Sequence, residues 1–109
     1  MTDEEKKYLE IGENLIGSVQ SQMFGKPCFK VNNKAFICFF DNQMVFKLVG
    51  ENLTDALMMV GSQLFDPSRK NRPMKQWVQL SFDVKDRWTF FAQASYNYVK
   101  SILKLWKKK

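Results

Sequence analysis

Histidine is absent from this 109-residue chain, which removes the commonest general base and the commonest metal ligand together. Serine-histidine triads, cysteine-histidine nucleophiles and most zinc sites each lose a required member. Cysteine is scarce as well. Cys28 and Cys38 are the only two, without CxxC spacing, so they read as reduced, buried thiols whose loss should disturb packing alone. The five glycines are scattered and never approach the GxxxxGK spacing that cradles phosphates. No apolar run reaches membrane-spanning length, and the opening Met1-Thr2-Asp3-Glu4-Glu5 is too acidic for a secretory signal or a transit peptide. The expectation is a cytoplasmic chain with no catalytic residues, no metal site, no cofactor and no membrane partner.

Hydrophobic residues make up 45% of the chain and aromatics 15%, enough to build a packed interior rather than a disordered tail. At this length one core is expected, so residues 1–109 read as a single domain. The net charge of +6 favours anionic partners through long-range attraction.

Thr2 followed by Glu5 is a capping-box pattern that starts a helix. Tyr8, Ile11, Leu15, Ile16 and Val19 then recur at helical spacing and predict its continuation to Ser21 or Gln22. Gly25 and Pro27 break the pattern. Cys28 to Val31 and Lys34 to Phe40 flank Asn32-Asn33, a pair suited to a tight hairpin, and a turn at Asp41-Asn42-Gln43 leads to a third strand over Met44 to Leu48. Asn52 or Asp55 caps a short second helix carrying Leu53, Ala56, Leu57 and Val60, which ends at Gly61. Residues 61–75 read as a loop and Gln76 to Leu80 as a fourth strand. From Asp83, Trp88, Phe91, Ala92, Ser95, Tyr98, Val99, Ile102 and Trp106 mark a long final helix. The class is α+β, in the order α-β-β-β-α-β-α, with an antiparallel meander packed against the N- and C-terminal helices.

Two features bear on partners. The strand Ala35 to Phe40 is apolar at every position, so both its faces need cover, which predicts a homodimer if the chain's own helices do not suffice. The segment 66–75 holds Arg69, Lys70, Arg72 and Lys75 on a proline-bounded loop, where cations can settle on phosphates. A solvated surface loop is the plainer reading of the same charges. Asp41, Asp55, Asp66, Asp83 and Asp86 all sit where a turn or a cap accounts for an aspartate. The functional expectation is a non-enzymatic binding module, a regulatory or accessory factor acting through protein or nucleic-acid contacts. The alternative is a self-associating interaction protein with no nucleic-acid role.

Several strings resemble the TfoX N-terminal domain family: Met23-Phe24-Gly25, Phe29-Lys30-Val31-Asn32-Asn33-Lys34-Ala35-Phe36, Met44-Val45-Phe46-Lys47 and Arg72-Pro73-Met74-Lys75-Gln76-Trp77-Val78. Lys26-Pro27-Cys28-Phe29-Lys30-Val31 is similar to the related MmcQ/YjbR group. The resemblance covers about residues 20–100 and includes no catalytic motif. It implies a bacterial α+β domain in which a curved antiparallel sheet packs with helices from both ends of the chain. For the YjbR side it also implies possible DNA binding, without assigning residues to it.

Overall fold

The computed structural model describes residues 1–68, 70 and 73–107, with side chains to residue 102. Its elements run α1 (Asp3–Glu13), β1 (Ser18–Met23), β2 (Lys26–Val31), β3 (Lys34–Phe40), β4 (Gln43–Lys47), α2 (Gly50–Leu57), β5 (Gln63–Phe65), β6 (Met74–Leu80), a 3-10 segment (Phe82–Arg87) and α3 (Trp88–Lys107). The strands form one antiparallel sheet in the order β1-β2-β3-β4-β6-β5. No described helix is long and apolar enough to cross a membrane.

Three two-residue turns build the meander. Phe24-Gly25, Asn32-Asn33 and Asp41-Asn42 all take positive φ at both positions, the geometry whose twist matches paired strands. The second and third lie where Asn and Asp predict them. The first joins β2 to a strand that the helical spacing conceals. α1 does begin at the Thr2 cap, whose hydroxyl accepts from the Glu5 N–H at 3.1 Å, but it stops at Glu13. Gly17, at φ +83°, then turns the chain into β1. Ile16 and Val19, expected on the buried face of a helix, are 87% and 63% exposed. Pairing with β2, from Ser18 opposite Val31 to Met23 opposite Lys26, outweighs the helical period of so short a stretch.

Other boundaries move too. α2 starts at Gly50 with no side-chain cap, so neither Asn52 nor Asp55 serves as one, and Val60 is exposed beyond its end. The segment expected to be loop contains β5 and the start of β6. The last helix begins at Trp88 after the 3-10 segment, and Tyr96 joins the expected core positions.

The main core lies between the sheet and the helices. Tyr8 and Ile11 of α1, Ala56 of α2 and Trp88, Phe91, Ala92, Tyr96 and Val99 of α3 meet Phe29, Ile37, Phe39, Met44, Phe46, Val78 and Leu80. Pairing of β2 with β3 shifts register between Phe29 and Lys30, so Phe29 faces Ile37 while Lys30 faces Ala35. Phe36 is therefore the extra residue of a β-bulge, which turns Phe36 and Ile37 toward the same face. Phe36 there meets Tyr96 edge to face at 5.6 Å.

The bulge explains how an all-apolar strand is accommodated. Ala35, Cys38 and Phe40 go to the opposite face, where Cys28, Cys38, Val45, Phe65 and Trp77 form a second cluster with no helical residue in it. These five are buried within the single chain, Trp77 being the most exposed at 6%. Phe40 of β3 and Phe65 of β5 are three strand spacings apart, about 14 Å in a flat sheet, yet their rings stand 5.3 Å from each other. The sheet thus curls over its own second face. Cover that the sequence led us to expect from a second copy is supplied by the fold, so this face gives no reason for a homodimer.

Candidate functional site

Alternation along the strands decides what the helix-free face displays. Cys28 lies on it, so Lys26 and Lys30 do as well; Val45 lies on it, so Lys47 follows. The Lys26 ammonium stands 5.2 Å from the centre of the Phe40 ring, and Lys47 stands 5.7 Å from that of Trp77. Each stem covers apolar surface while the charge reaches solvent, and the ring attracts the cation. No Asp or Glu occurs in any of the six strands. Of the chain's eleven carboxylates, Asp41 and Asp66 lie in turns at one end of this face and the others lie in helical segments. The molecule has a cationic sheet side and an acid-bearing helical side.

Of the predicted 66–75 loop, Asp66 lines a pocket with Phe40 at the end of this surface. Lys75 is exposed on β6, directly before the stretch that pairs with β4. Lys70 is exposed, and its backbone N–H donates to the Ser68 hydroxyl at 3.2 Å, which itself donates to Asp66 Oδ1 at 2.7 Å. The approach to the loop is therefore organised. Arg69 and Arg72 lie outside the described residues. Lys100, a weaker candidate from the final helix, sits on the helical side with its ammonium 3.3 Å from the Tyr96 hydroxyl.

Lys26, Lys30 and Lys47 escape a search for charge runs because they are dispersed over β2 and β4. Their signal is parity: they share strand faces with the buried Cys28 and Val45. A further overlooked residue is Phe24, an aromatic at φ +54° and 61% exposed, next to Lys26. Such a backbone is costly for a bulky residue.

Cys28 and Cys38 are direct cross-strand partners, free and buried. Interaction with the Cys38 thiol, aided by Lys30 and opposed by burial, holds Cys28 below the ordinary thiol value, while the same pairing together with burial pushes Cys38 up. Among the described residues no nucleophile-base-orienter arrangement accompanies them. Among the described residues, no group of three Cys, Asp or Glu side chains is placed to hold a metal. A cavity of about 510 Å³ between α2 and α3 is lined by Asn52, Phe90, Gln93, Asn97, Tyr98 and Ser101, none of them charged. A smaller one, about 320 Å³, opens between Phe40, Asp41, Gln63, Asp66 and Gln79. The second lies at the carboxylate end of the cationic face and marks its limit.

No protein-family model matches this chain, and neither a curated protein nor a solved structure is significantly similar to it.

Proposed function

We propose that the chain is a non-enzymatic binding module that holds the sugar-phosphate backbone of a nucleic acid on its helix-free sheet face, as a regulatory or accessory factor. One observation carries the reading: Lys26, Lys30 and Lys47 share a face whose strands contain no carboxylate, and Lys75 is exposed on β6 two residues before Trp77, the partner of Lys47. Phosphate oxygens bind where cations are gathered and opposing charges are kept away. In the sequence Arg69, Lys70 and Arg72 precede Lys75 by three to six residues, and we assign them to the same contact. The resemblance to the YjbR-like group points the same way.

The mode of contact follows from burial. Base stacking requires open aromatic faces, and here Trp77 is buried, Phe40 carries Lys26 over its ring and Phe24 alone stands open near Lys26, too few to hold successive bases. Recognition is thus through phosphates and is tolerant of sequence. Fluorescence anisotropy with a labelled oligonucleotide at several salt concentrations tests this. Four lysine contacts give a logarithmic salt slope of about −3 on a single strand and nearer −4 on a duplex. Lys26→Gln, Lys30→Gln and Lys47→Gln together should remove about three contacts' worth of that slope, and substituting Arg69, Lys70, Arg72 and Lys75 with Gln should also weaken binding. Absence of affinity at low salt would leave the interaction-protein reading in its place.

A further inference from the structure

β1 is a six-residue edge strand, and among the described residues nothing pairs with its outer side. Exposed edges are ordinarily blunted by lysine, proline or a bulge. Ser18-Val19-Gln20-Ser21-Gln22-Met23 has none of these, and residues 14–25 carry no charge at all. The other edge, β5, is only three residues long. We infer that β1 is a docking edge for β1 of a second copy, paired antiparallel about a two-fold axis through Ser21.

The register follows from geometry. The Phe24-Gly25 turn closes on the Met23–Lys26 pair, which uses the inward-facing backbone groups of Met23. Alternation then directs the backbone N–H and C=O of Ser18, Gln20 and Gln22 outward. Two-fold antiparallel pairing places residues of equal parity opposite one another. With Ser21 on the axis, Gln20 faces Gln22 of the second copy, and these two exchange backbone hydrogen bonds. Val19 faces Met23 of the second copy on the helix-free side, and Ser21 faces its own equivalent. Apolar meets apolar, amide meets amide and hydroxyl meets hydroxyl, so the strand is complementary to itself and the assembly closes at two. The side assignment is independently fixed: Gln20 Nε2 reaches Glu13 of α1 at 3.4 Å and the Ser18 hydroxyl donates to the Gly12 carbonyl at 2.5 Å, while Met23 packs into the second cluster.

Charge selects a second copy as occupant. Two chains of +6 repel at any approach, but least where no like charges meet at the contact, and among the described residues β1 is the longer of the two uncharged edge strands. Pairing joins two six-stranded sheets and sets their lysine-bearing faces side by side. The interface does not depend on the nucleic-acid reading, and salt separates the two: added salt screens the repulsion and tightens the dimer, while it loosens phosphate contacts.

Sedimentation velocity of the full chain from low to high micromolar concentration tests the inference. The expected mass is twice the 12.9 kDa of one chain. Gln20 and Gln22 are exposed, so their substitution leaves the fold intact, which circular dichroism checks. Gln20→Lys with Gln22→Lys sets like charges opposite each other twice and should raise the dissociation constant about tenfold. Gln20→Lys with Gln22→Glu sets opposite charges face to face and should keep the dimer. A monomer throughout the range, or a dimer unmoved by the first pair, overturns the interface. Dissociation by both pairs alike overturns the Ser21-centred register.

Discussion

Gly12 is the point where α1 rests directly on the sheet. A Cβ built at this helical position would stand 2.2, 2.4 and 2.5 Å from three carbons of the Phe29 ring, far inside van der Waals contact. Two effects of a Gly12→Ala substitution oppose each other. Alanine favours a helix over glycine by about 0.5–1 kcal/mol, whereas overpacking a core costs about 1–3 kcal/mol and more when neighbours cannot yield. Phe29 cannot yield easily, because it is 1% exposed and Tyr8 stands edge-on to it at 5.2 Å. The overpacking should win, with a net loss of about 2 kcal/mol in urea unfolding at unchanged m-value. Phe29→Leu alone should also destabilise by opening space, yet combined with Gly12→Ala it should cost less than the sum. A Gly12→Ala protein as stable as the parent, or strictly additive single changes, would refute the claim that this helix backbone packs against that ring.

Alkali should weaken the fold. Burial holds the Tyr8 phenol well above its ordinary value of 10.0, so its contribution is complete below pH 10 and falls above it, by about 1.4 kcal/mol per pH unit for one retained proton. Tyr8→Phe should flatten urea midpoints compared between pH 9 and 11, and a decline unchanged by that substitution would assign the loss elsewhere. Cys28→Ala with Cys38→Ala should lower stability by about 1–3 kcal/mol through lost packing and leave oligonucleotide affinity unaltered. Affinity that instead falls on mild oxidation of the parent, and not of the double variant, would give the thiols a functional role.

Much of the fold is legible in the residues because local chemistry and tertiary pairing agree there. Asn32-Asn33 and Asp41-Asn42 tolerate left-handed backbone and so mark their turns. The β1 strand is hidden because Leu15, Ile16 and Val19 extend the period of α1, and only pairing with β2 reveals that they lie outside it. β5 is too short to show a period. The bulge at Phe36 leaves no mark in composition, and it is the bulge that divides an all-apolar strand between two buried faces. The cationic site is half legible. Arg69, Lys70, Arg72 and Lys75 stand close together in the chain, whereas Lys26, Lys30 and Lys47 are gathered only by strand parity and the order of the sheet.

Chemical-shift mapping with isotopically labelled protein and an unlabelled oligonucleotide at low salt addresses the central claim most directly. The perturbed amides should cluster on β2, β4 and β6 around Lys26, Lys30, Lys47 and Lys75, and the shifts should collapse as salt is added. Shifts concentrated on α1, α2 or the outer face of α3, with the lysine-bearing strands unmoved, would contradict it.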